Sequence, residues 1–272
     1  MKKTILITGS TDGIGKHLAQ KFASEGHEVI LHGRNPEKLR VALSDVQLQT
    51  GNKAVHTYLA DFSKKDEVYS FARRIQEDFS RLDVLINNAG AYFGDERIAT
   101  KEDVEMTFML SVQVPFILTK ELLPLLEKSH QGRVIHTSSY MHHFASVENL
   151  DFGMTKDYTA SRAYNNAKLY TIWLTCFQAE ELKAKGSQVT VNCYHPGLVA
   201  TNLVNDNVKR SLKSQIKTLD EGIETGYYLS FDEGVATVSG AYFDDKKIKR
   251  VSEKGYSQET VAALLRYCHS KT

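Results

Sequence analysis

In Tyr164-Asn165-Asn166-Ala167-Lys168 a phenol and an ammonium are four positions apart. On a helix such positions share one face, one turn from each other. A nearby positive charge favours an ionised phenol and lowers its pKa. A phenol tuned in this way can exchange a proton with a substrate oxygen. The pair alone assigns nothing, because Tyr and Lys at this spacing occur on many solvated helices. The rest of the chain must supply something for the pair to act with.

A second stretch does so. Thr8-Gly9-Ser10-Thr11-Asp12-Gly13-Ile14-Gly15 follows the apolar run Ile5-Leu6-Ile7 and opens a segment of helical period. Glycines let the backbone turn tightly and approach a diphosphate. A helix N-terminus adds free N–H groups and a positive dipole end. The spacing is Gly-x-x-x-Gly-x-Gly rather than Gly-x-Gly-x-x-Gly. The strand–turn–helix context is nevertheless that of a dinucleotide site; the plain alternative is a Gly-rich turn. The second strand runs out into His32-Gly33-Arg34-Asn35. A carboxylate there would bind a ribose hydroxyl, whereas an Arg accepts a 2′-phosphate. Arg34 therefore favours NADP(H) over NAD(H). Asp12 argues slightly the other way, since its charge would sit near that phosphate.

Elements to hold these residues are legible in the pattern. Val29-Ile30-Leu31, Val55 to Leu59, Val84-Leu85-Ile86, Val134-Ile135, Val189-Thr190-Val191 and Ala241-Tyr242-Phe243 follow the first run as strands. Consecutive apolar residues suit strands buried on both faces. Between them lie helical periods. Ile14, Leu18, Ala19, Phe22 and Ala23 share one face, with Gly26 as stop. Asn35-Pro36 starts the next helix, and Gly51 ends it. Ser63 is expected to cap a third helix running to about Phe79. A long one covers about Lys101 to Leu126, where Pro115 and Pro124 should bend or shorten it. Others run from about Tyr158 to Lys185, Asp220 to Ser230 and Gln258 to Cys268. Strand–helix alternation predicts an α/β, doubly wound parallel sheet of about seven strands with helices on both faces. No linker or repeat interrupts residues 1–272, so one domain is expected.

Composition narrows the function classes. Of 272 residues, 42% are hydrophobic and 25% charged, with a net charge of +1, which gives no global field for nucleic acid or a membrane surface. Cys176, Cys193 and Cys268 are too few and too far apart for a disulfide framework or a zinc site. The first apolar run is too short for a secretory h-region, and none looks long enough for a bilayer span. A cytoplasmic protein is expected. His142 and His143 lack an acidic or Cys partner at ligand spacing, so no metal is expected.

Taken together, Thr8 through Gly15, Asn87-Asn88-Ala89-Gly90 after the fourth strand, Ser138-Ser139 after the fifth, the Tyr164/Lys168 pair and Pro196-Gly197 after the sixth resemble the short-chain dehydrogenase/reductase family. The likeness covers nearly the whole chain. Arg34-Asn35, the longer segment between Ser139 and Tyr164, His195-Pro196-Gly197-Leu198-Val199 and Ser239-Gly240-Ala241-Tyr242-Phe243 look most like the branch of retinol dehydrogenases and related carbonyl reductases.

The resemblance implies a single-domain Rossmann fold and a reversible carbonyl–alcohol oxidoreduction. It implies that Thr8, Gly9, Ser10, Asp12, Gly13, Ile14 and Gly15 form the cofactor loop, with the three glycines at the diphosphate. Arg34 would meet the 2′-phosphate, and Asp61 the adenine with Phe62 beside it. Asn87, Ala89 and Gly90 would lie along the cofactor near the ribose. Pro196, Gly197, Val199 and Thr201 would flank the nicotinamide. Ser139 would hydrogen-bond the substrate oxygen, Tyr164 would exchange its proton, and Lys168 would hold the ribose and depress the Tyr164 pKa. Ser111 stands where the family usually has an Asn that supports a water-linked proton relay to the Lys. That departure keeps a second reading in view: an NADP(H)-binding redox sensor with little turnover. A sugar-nucleotide epimerase on a related fold is disfavoured by the short C-terminal part.

Substrate walls are expected at Tyr92-Phe93, at Met141 to Phe144 and in a loop spanning about 198–220. Within that loop Lys209-Arg210, Lys213 and Lys217 read as a solvated face. The mix of aromatic, apolar and His side chains suits a moderately lipophilic carbonyl or alcohol of small-molecule size. Pairing of the two long helices between subunits, as the resemblance implies, would give a homodimer or homotetramer.

Overall fold

The structure is a computed structural model that describes residues 2–148, 150–199, 201, 216–251 and 256–271. Strands β1 (Thr4–Ile7), β2 (Glu28–Gly33), β3 (Val55–Leu59), β4 (Val84–Asn87), β5 (Arg133–Thr137), β6 (Thr190–His195), β7 (Tyr242–Asp244) and β8 (Lys247–Ile248) form one sheet of order β3-β2-β1-β4-β5-β6-β7-β8. The first seven run parallel, and β8 returns antiparallel to β7. The seven parallel strands match the sequence reading. The eighth follows a two-residue turn, Asp245-Lys246, in which both residues have positive φ. Such turns favour Asn-Gly or Asp-Gly, so this one left no signal in the sequence.

Both faces of the sheet are covered, which is why the strands read as unbroken apolar runs. Ile5, Ile7, Val29, Leu31, Val84, Ile86 and Ile135 face helices α1 (Gly13–Ser24), α2 (Pro36–Thr50) and α6 (Leu219–Phe231). Leu6, Ile30, Leu85, Val134 and Val191 face the other layer. That layer holds α3 (Lys65–Asp78), α4 (Met106–Leu126), α5 (Ala160–Ala184) and, outermost, α7 (Gln258–Ser270). The alternation follows from the two-residue period of a strand.

Local capping accounts for most boundaries. Asn35 accepts the Lys38 N–H at 2.9 Å with Pro36 in the first turn, and Gly51 closes α2 at φ 70°. Thr159 caps α5 through the Arg162 N–H. Two boundaries differ from expectation. Ser63 does not cap α3; its own N–H goes to Asp61, and Lys64 occupies the cap position without a side-chain bond. Helix α4 starts at Met106, not near Lys101, because Asp103 is left-handed (φ 57°) and the Glu105 carboxylate accepts the Phe108 N–H. Within α4, residues Met109–Gln113 form a wide π turn just before Pro115. A proline cannot donate to the preceding turn, so a carbonyl there is released.

With 21 residues, α4 is long and apolar enough to cross a membrane by length and composition alone, contrary to the expectation that no run is. Its apolar side chains are instead buried against α3, α5 and the sheet. Helix α7 lies over the α4/α5 layer. Tyr267 packs edge-on against Phe108, His269 against Phe116, and Gln113 Nε2 donates to the Cys268 carbonyl.

Candidate active site

At the C-terminal ends of β1 and β4 two loops are stitched together. The Thr8 hydroxyl accepts the N–H groups of Asn88 and Ala89, each at 2.9 Å. Asn88 Nδ2 donates to the carbonyls of Thr8 and Gly9 at 3.0 and 3.1 Å. The approach is so close that only glycine fits at two positions. A Cβ on Gly9 (φ 64°) would lie 2.8 Å from Ala89 Cα, and one on Gly15 would lie 2.5 Å from both Asn88 Nδ2 and the Gly9 carbonyl. The result is a side-chain-free cradle at the N-terminus of α1, which fits a diphosphate. Asn88, to which the motif by itself assigns no role, holds the cradle shut.

Thr8 and Ser10 are buried in the wiring of this loop rather than aimed from it. The Ser10 hydroxyl donates to the Ile7 carbonyl at 2.9 Å. Asp12 caps α1, accepting the Gly13 N–H at 2.7 Å, so its carboxylate stands at the helix end where an anion would bind. Ile14 is half-buried against the core beneath.

Arg34 is exposed just past β2, within electrostatic reach of Asp61. Burial pushes the Asp61 carboxyl up, but hydrogen bonds from Ser63, then Lys64 and Arg34, bring it below its usual range. Phe62 is only 3% exposed, and its ring stacks on His32 with centroids 3.8 Å apart. Its side chain therefore belongs to the core. Asn87, at the end of β4, is buried and donates from Nδ2 to His136 Nδ1 at 3.1 Å; His136 Nε2 donates onward to Gln178 Oε1 at 2.9 Å. Ala89 contributes its backbone to the stitch described above.

Tyr164 and Lys168 lie in the first half of α5, above the ends of β4 and β5. Lys168 is 6% exposed; its Nζ lies over the Tyr164 ring, 5.4 Å from the centre, and donates to the Thr137 carbonyl at 2.9 Å. The Ser138 hydroxyl donates to the Lys168 carbonyl at 2.9 Å, which locks α5 onto β5. Gly90 passes close by: a Cβ there would lie 4.0 Å from Lys168 Nζ. Ser139 Oγ accepts the Met141 N–H at 3.2 Å, which leaves its own proton to be donated. Ser139 also lies near enough to Tyr164 to act on the titration of its phenol, so the two hydroxyls stand in one neighbourhood.

The titration of the pair differs from the expectation. Burial pushes the Tyr164 phenol up, the Ser139 hydrogen bond pulls it partly back, and Tyr92 adds to the rise, leaving it above its ordinary value. Burial brings the Lys168 ammonium down to about 8. Burial disfavours the charged form of each group, and it is the largest cause of both shifts. The expected depression of the Tyr164 pKa by Lys168 is therefore not found among these side chains.

Ser111 lies in the π turn of α4, buried, and faces α5. Its carbonyl accepts the Thr171 hydroxyl at 3.0 Å, and the same hydroxyl reaches the Ala167 carbonyl at 2.9 Å. Pro115 explains why the Ser111 carbonyl is available, since no N–H exists four residues on. Thr171, three residues past Lys168, gave no signal in the sequence.

After β6 the chain crosses toward the glycine loop. Gly197 has φ 93°, and a Cβ there would strike Lys217 Cδ at 2.5 Å. Val199 is buried against Gly222 of α6 and pairs with Lys217, so its side chain turns from the crevice that Pro196 and Gly197 border. Thr201 Cγ2 would lie 3.3 Å from a Cβ on Gly13, which brings it to the cradle. Lys217 is no free surface cation; it bonds Asp245. Lys209, Arg210 and Lys213 lie outside the described residues, as does most of the expected substrate loop.

Around Tyr164 stand exposed apolar side chains. Tyr92 is 5.6 Å away between ring centres, and Tyr140, Met141 and Phe144, in the segment just after Ser139, are exposed. His142, expected in this wall, is instead fully buried and donates from Nδ1 to the Ser139 carbonyl at 2.7 Å.

Comparison with known proteins agrees with this architecture. A family model described as short chain dehydrogenase matches residues 3–211. Human retinol dehydrogenase 13 is 32% identical over 274 residues, covering 96% of this chain and 82% of its own. Human polyprenol dehydrogenase is 30% identical, covering 94% and 81%. Among solved structures, a short chain dehydrogenase from Shigella flexneri complexed with NADP superposes with a TM-score of 0.71 at 27% identity, covering 90% of this chain and 97% of its own. One from Escherichia coli complexed with NADPH gives the same values. The chain belongs to the short-chain dehydrogenase family, close to the retinol dehydrogenase branch, and is an oxidoreductase of that class with a nicotinamide-cofactor fold.

Proposed function

We propose that the protein is an NADP(H)-dependent oxidoreductase that interconverts a carbonyl compound and its alcohol. The observation that carries this reading is the convergence of Ser139, Tyr164 and Lys168 at the ends of β5 and α5, beside the glycine cradle. A nicotinamide cofactor, when bound, supplies or accepts the hydride. Gly9, Gly13 and Gly15 would shape the cradle for its diphosphate, Arg34 would meet its 2′-phosphate, and Pro196, Gly197 and Thr201 would border the nicotinamide end.

The chain's own residues do the proton chemistry. Ser139 and Tyr164 both direct hydroxyl protons at the substrate oxygen, where negative charge grows during reduction. A phenol kept above its ordinary pKa is held protonated and ready to donate. Tyr164 gives its proton to the alkoxide, or takes one from the alcohol in the opposite direction. Lys168, fixed by the Thr137 carbonyl, stands under the ring to stabilise a phenolate as it forms. The exposed Tyr92, Tyr140, Met141 and Phe144 suit a lipophilic substrate. NADP(H) complexes of two structural neighbours support the cofactor choice. The three cysteines are unpaired, which suits a reducing, cytoplasmic setting. A homodimer or homotetramer built on α4 and α5 would have to accommodate α7, which lies over that layer.

Titration with NADPH and NADH, followed by cofactor fluorescence, tests the reading when joined to a panel of aldehydes, ketones and quinones. Preference for NADPH together with substrate-dependent NADPH oxidation is expected. Tight binding without turnover across the panel would replace it with the sensor reading.

A further inference from the structure

One buried side chain joins the cofactor loop to two strands and takes no part in the chemistry above. His32 is the penultimate residue of β2 and is 4% exposed. Its Nδ1 accepts the Gly9 N–H at 3.0 Å, and its Nε2 lies 3.1 Å from the Ala60 carbonyl. A ring nitrogen that accepts an N–H is unprotonated, so the proton is on Nε2 and is donated to Ala60. The backbone is tied as well. His32 N–H donates to Ser10 Oγ at 2.9 Å, and the His32 carbonyl accepts the Ser10 N–H at 2.9 Å. Phe62 stacks on the ring at 3.8 Å with planes 12° apart, and Phe71 meets it edge-on at 5.1 Å. The next residue, Gly33, lets Thr11 rest on the strand; a Cβ there would lie 2.4 Å from Thr11 Cγ2.

We propose that His32 is a positioning residue for the cofactor: its neutral ring holds the Gly9 peptide, and so the phosphate loop, in the form that receives NADP(H). This rests on the cofactor reading above. The Gly9 N–H points inward to the ring and is not available to a phosphate. What it gives is direction. With the left-handed Gly9 peptide pinned, the following N–H groups at the start of α1 are held outward. Burial holds the imidazole neutral, bringing its pKa down to about 4, with Arg74 and Asp61 the charged groups that act on it. His32 is on β2 and Ser139 follows β5, three strand spacings away, about 14 Å. Its influence should therefore fall on binding and not on the chemical step. Pre-organisation acts in this way, by removing the ordering that binding would otherwise require.

Two near-isosteric variants separate the ring's two bonds. In His32→Asn the amide oxygen can replace Nδ1 as acceptor for Gly9. In His32→Gln the amide reaches the Ala60 side instead. The expected result is an NADPH Kd raised about tenfold or more in His32→Gln, with kcat at saturating cofactor within about twofold of the unmodified protein. His32→Asn should restore affinity to within about threefold. Equal affinity in both variants, or a loss appearing equally in kcat, would overturn the assignment. Ring-nitrogen NMR on the unmodified protein gives an independent readout if a variant does not fold. It should show unprotonated Nδ1 and protonated Nε2; the opposite tautomer would overturn the proposal. Failure of the unmodified protein to bind NADPH or NADH would instead remove the cofactor reading, and the His32 assignment with it.

Discussion

Lys168 Nζ lies over the face of the Tyr164 ring, 5.4 Å from its centre. The ammonium is thus stacked under the phenol and anchored to the Thr137 carbonyl. In the proposed reaction this placement would stabilise charge that develops on the ring oxygen, while burial keeps the resting phenol neutral.

Tyr164→Phe should fold and bind NADPH as the unmodified protein does, because the ring keeps its packing and only the hydroxyl is lost. Turnover should fall by roughly 10²–10⁴-fold, the range for loss of a positioned proton donor. Steady-state rates on any substrate found in the panel check this. Near-normal turnover would remove Tyr164 from its role.

Lys168→Met addresses the cost of a buried ammonium. The folded-state pKa is about 8, against 10.5 for the free group. Between those values the unfolded chain binds the proton that the folded chain lacks, so stability rises with pH over that window. Below about pH 8 the penalty is present in full, on the order of 3 kcal/mol at 1.36 kcal/mol per pKa unit. The variant should be more stable than the unmodified protein at pH 7, and the gap should close as pH rises toward 10.5. Urea unfolding across pH 7 to 10.5 measures it. A gap that widens with pH would contradict the assignment.

Asp12→Asn keeps an N-cap acceptor for the Gly13 N–H and removes a negative charge from the cradle. NADPH should bind about three- to tenfold more tightly at low salt, and the gain should shrink as salt screens it. Titrations at two ionic strengths decide the matter. Unchanged affinity at both would mean that the carboxylate lies outside the phosphate field.

Arg34→Ala should weaken NADPH binding by about tenfold or more and leave NADH nearly unchanged, since only the former carries a 2′-phosphate. Parallel titrations with both cofactors show this as a change in their ratio. A proportional loss for both would make Arg34 a general electrostatic residue rather than a selective one.

Much of the site was written in local sequence. The glycine loop, Asn87-Asn88-Ala89-Gly90, Ser138-Ser139 and the Tyr164/Lys168 pair each depend on short-range rules. A strand of period two ends, a helix of period 3.6 begins, and glycine stands where a side chain would collide. The sheet followed from the same rules, because Ile5-Leu6-Ile7 and Val84-Leu85-Ile86 are apolar on both faces and must be covered twice. What the fold alone decided are relations between distant segments. The stitch of Asn88 to Thr8 and Gly9, the grip of His32 on Gly9, and the turning of Phe62 into the core beneath His32 join parts of the chain 23 to 80 residues apart or reverse a side chain's expected direction. So do the Thr171 bond to Ser111 and the removal of His142 from the substrate wall. The titration of Tyr164 and Lys168 belongs with them. Spacing places a charge beside a phenol, but desolvation depends on how much of the protein closes over both, and that is a property of the packed structure.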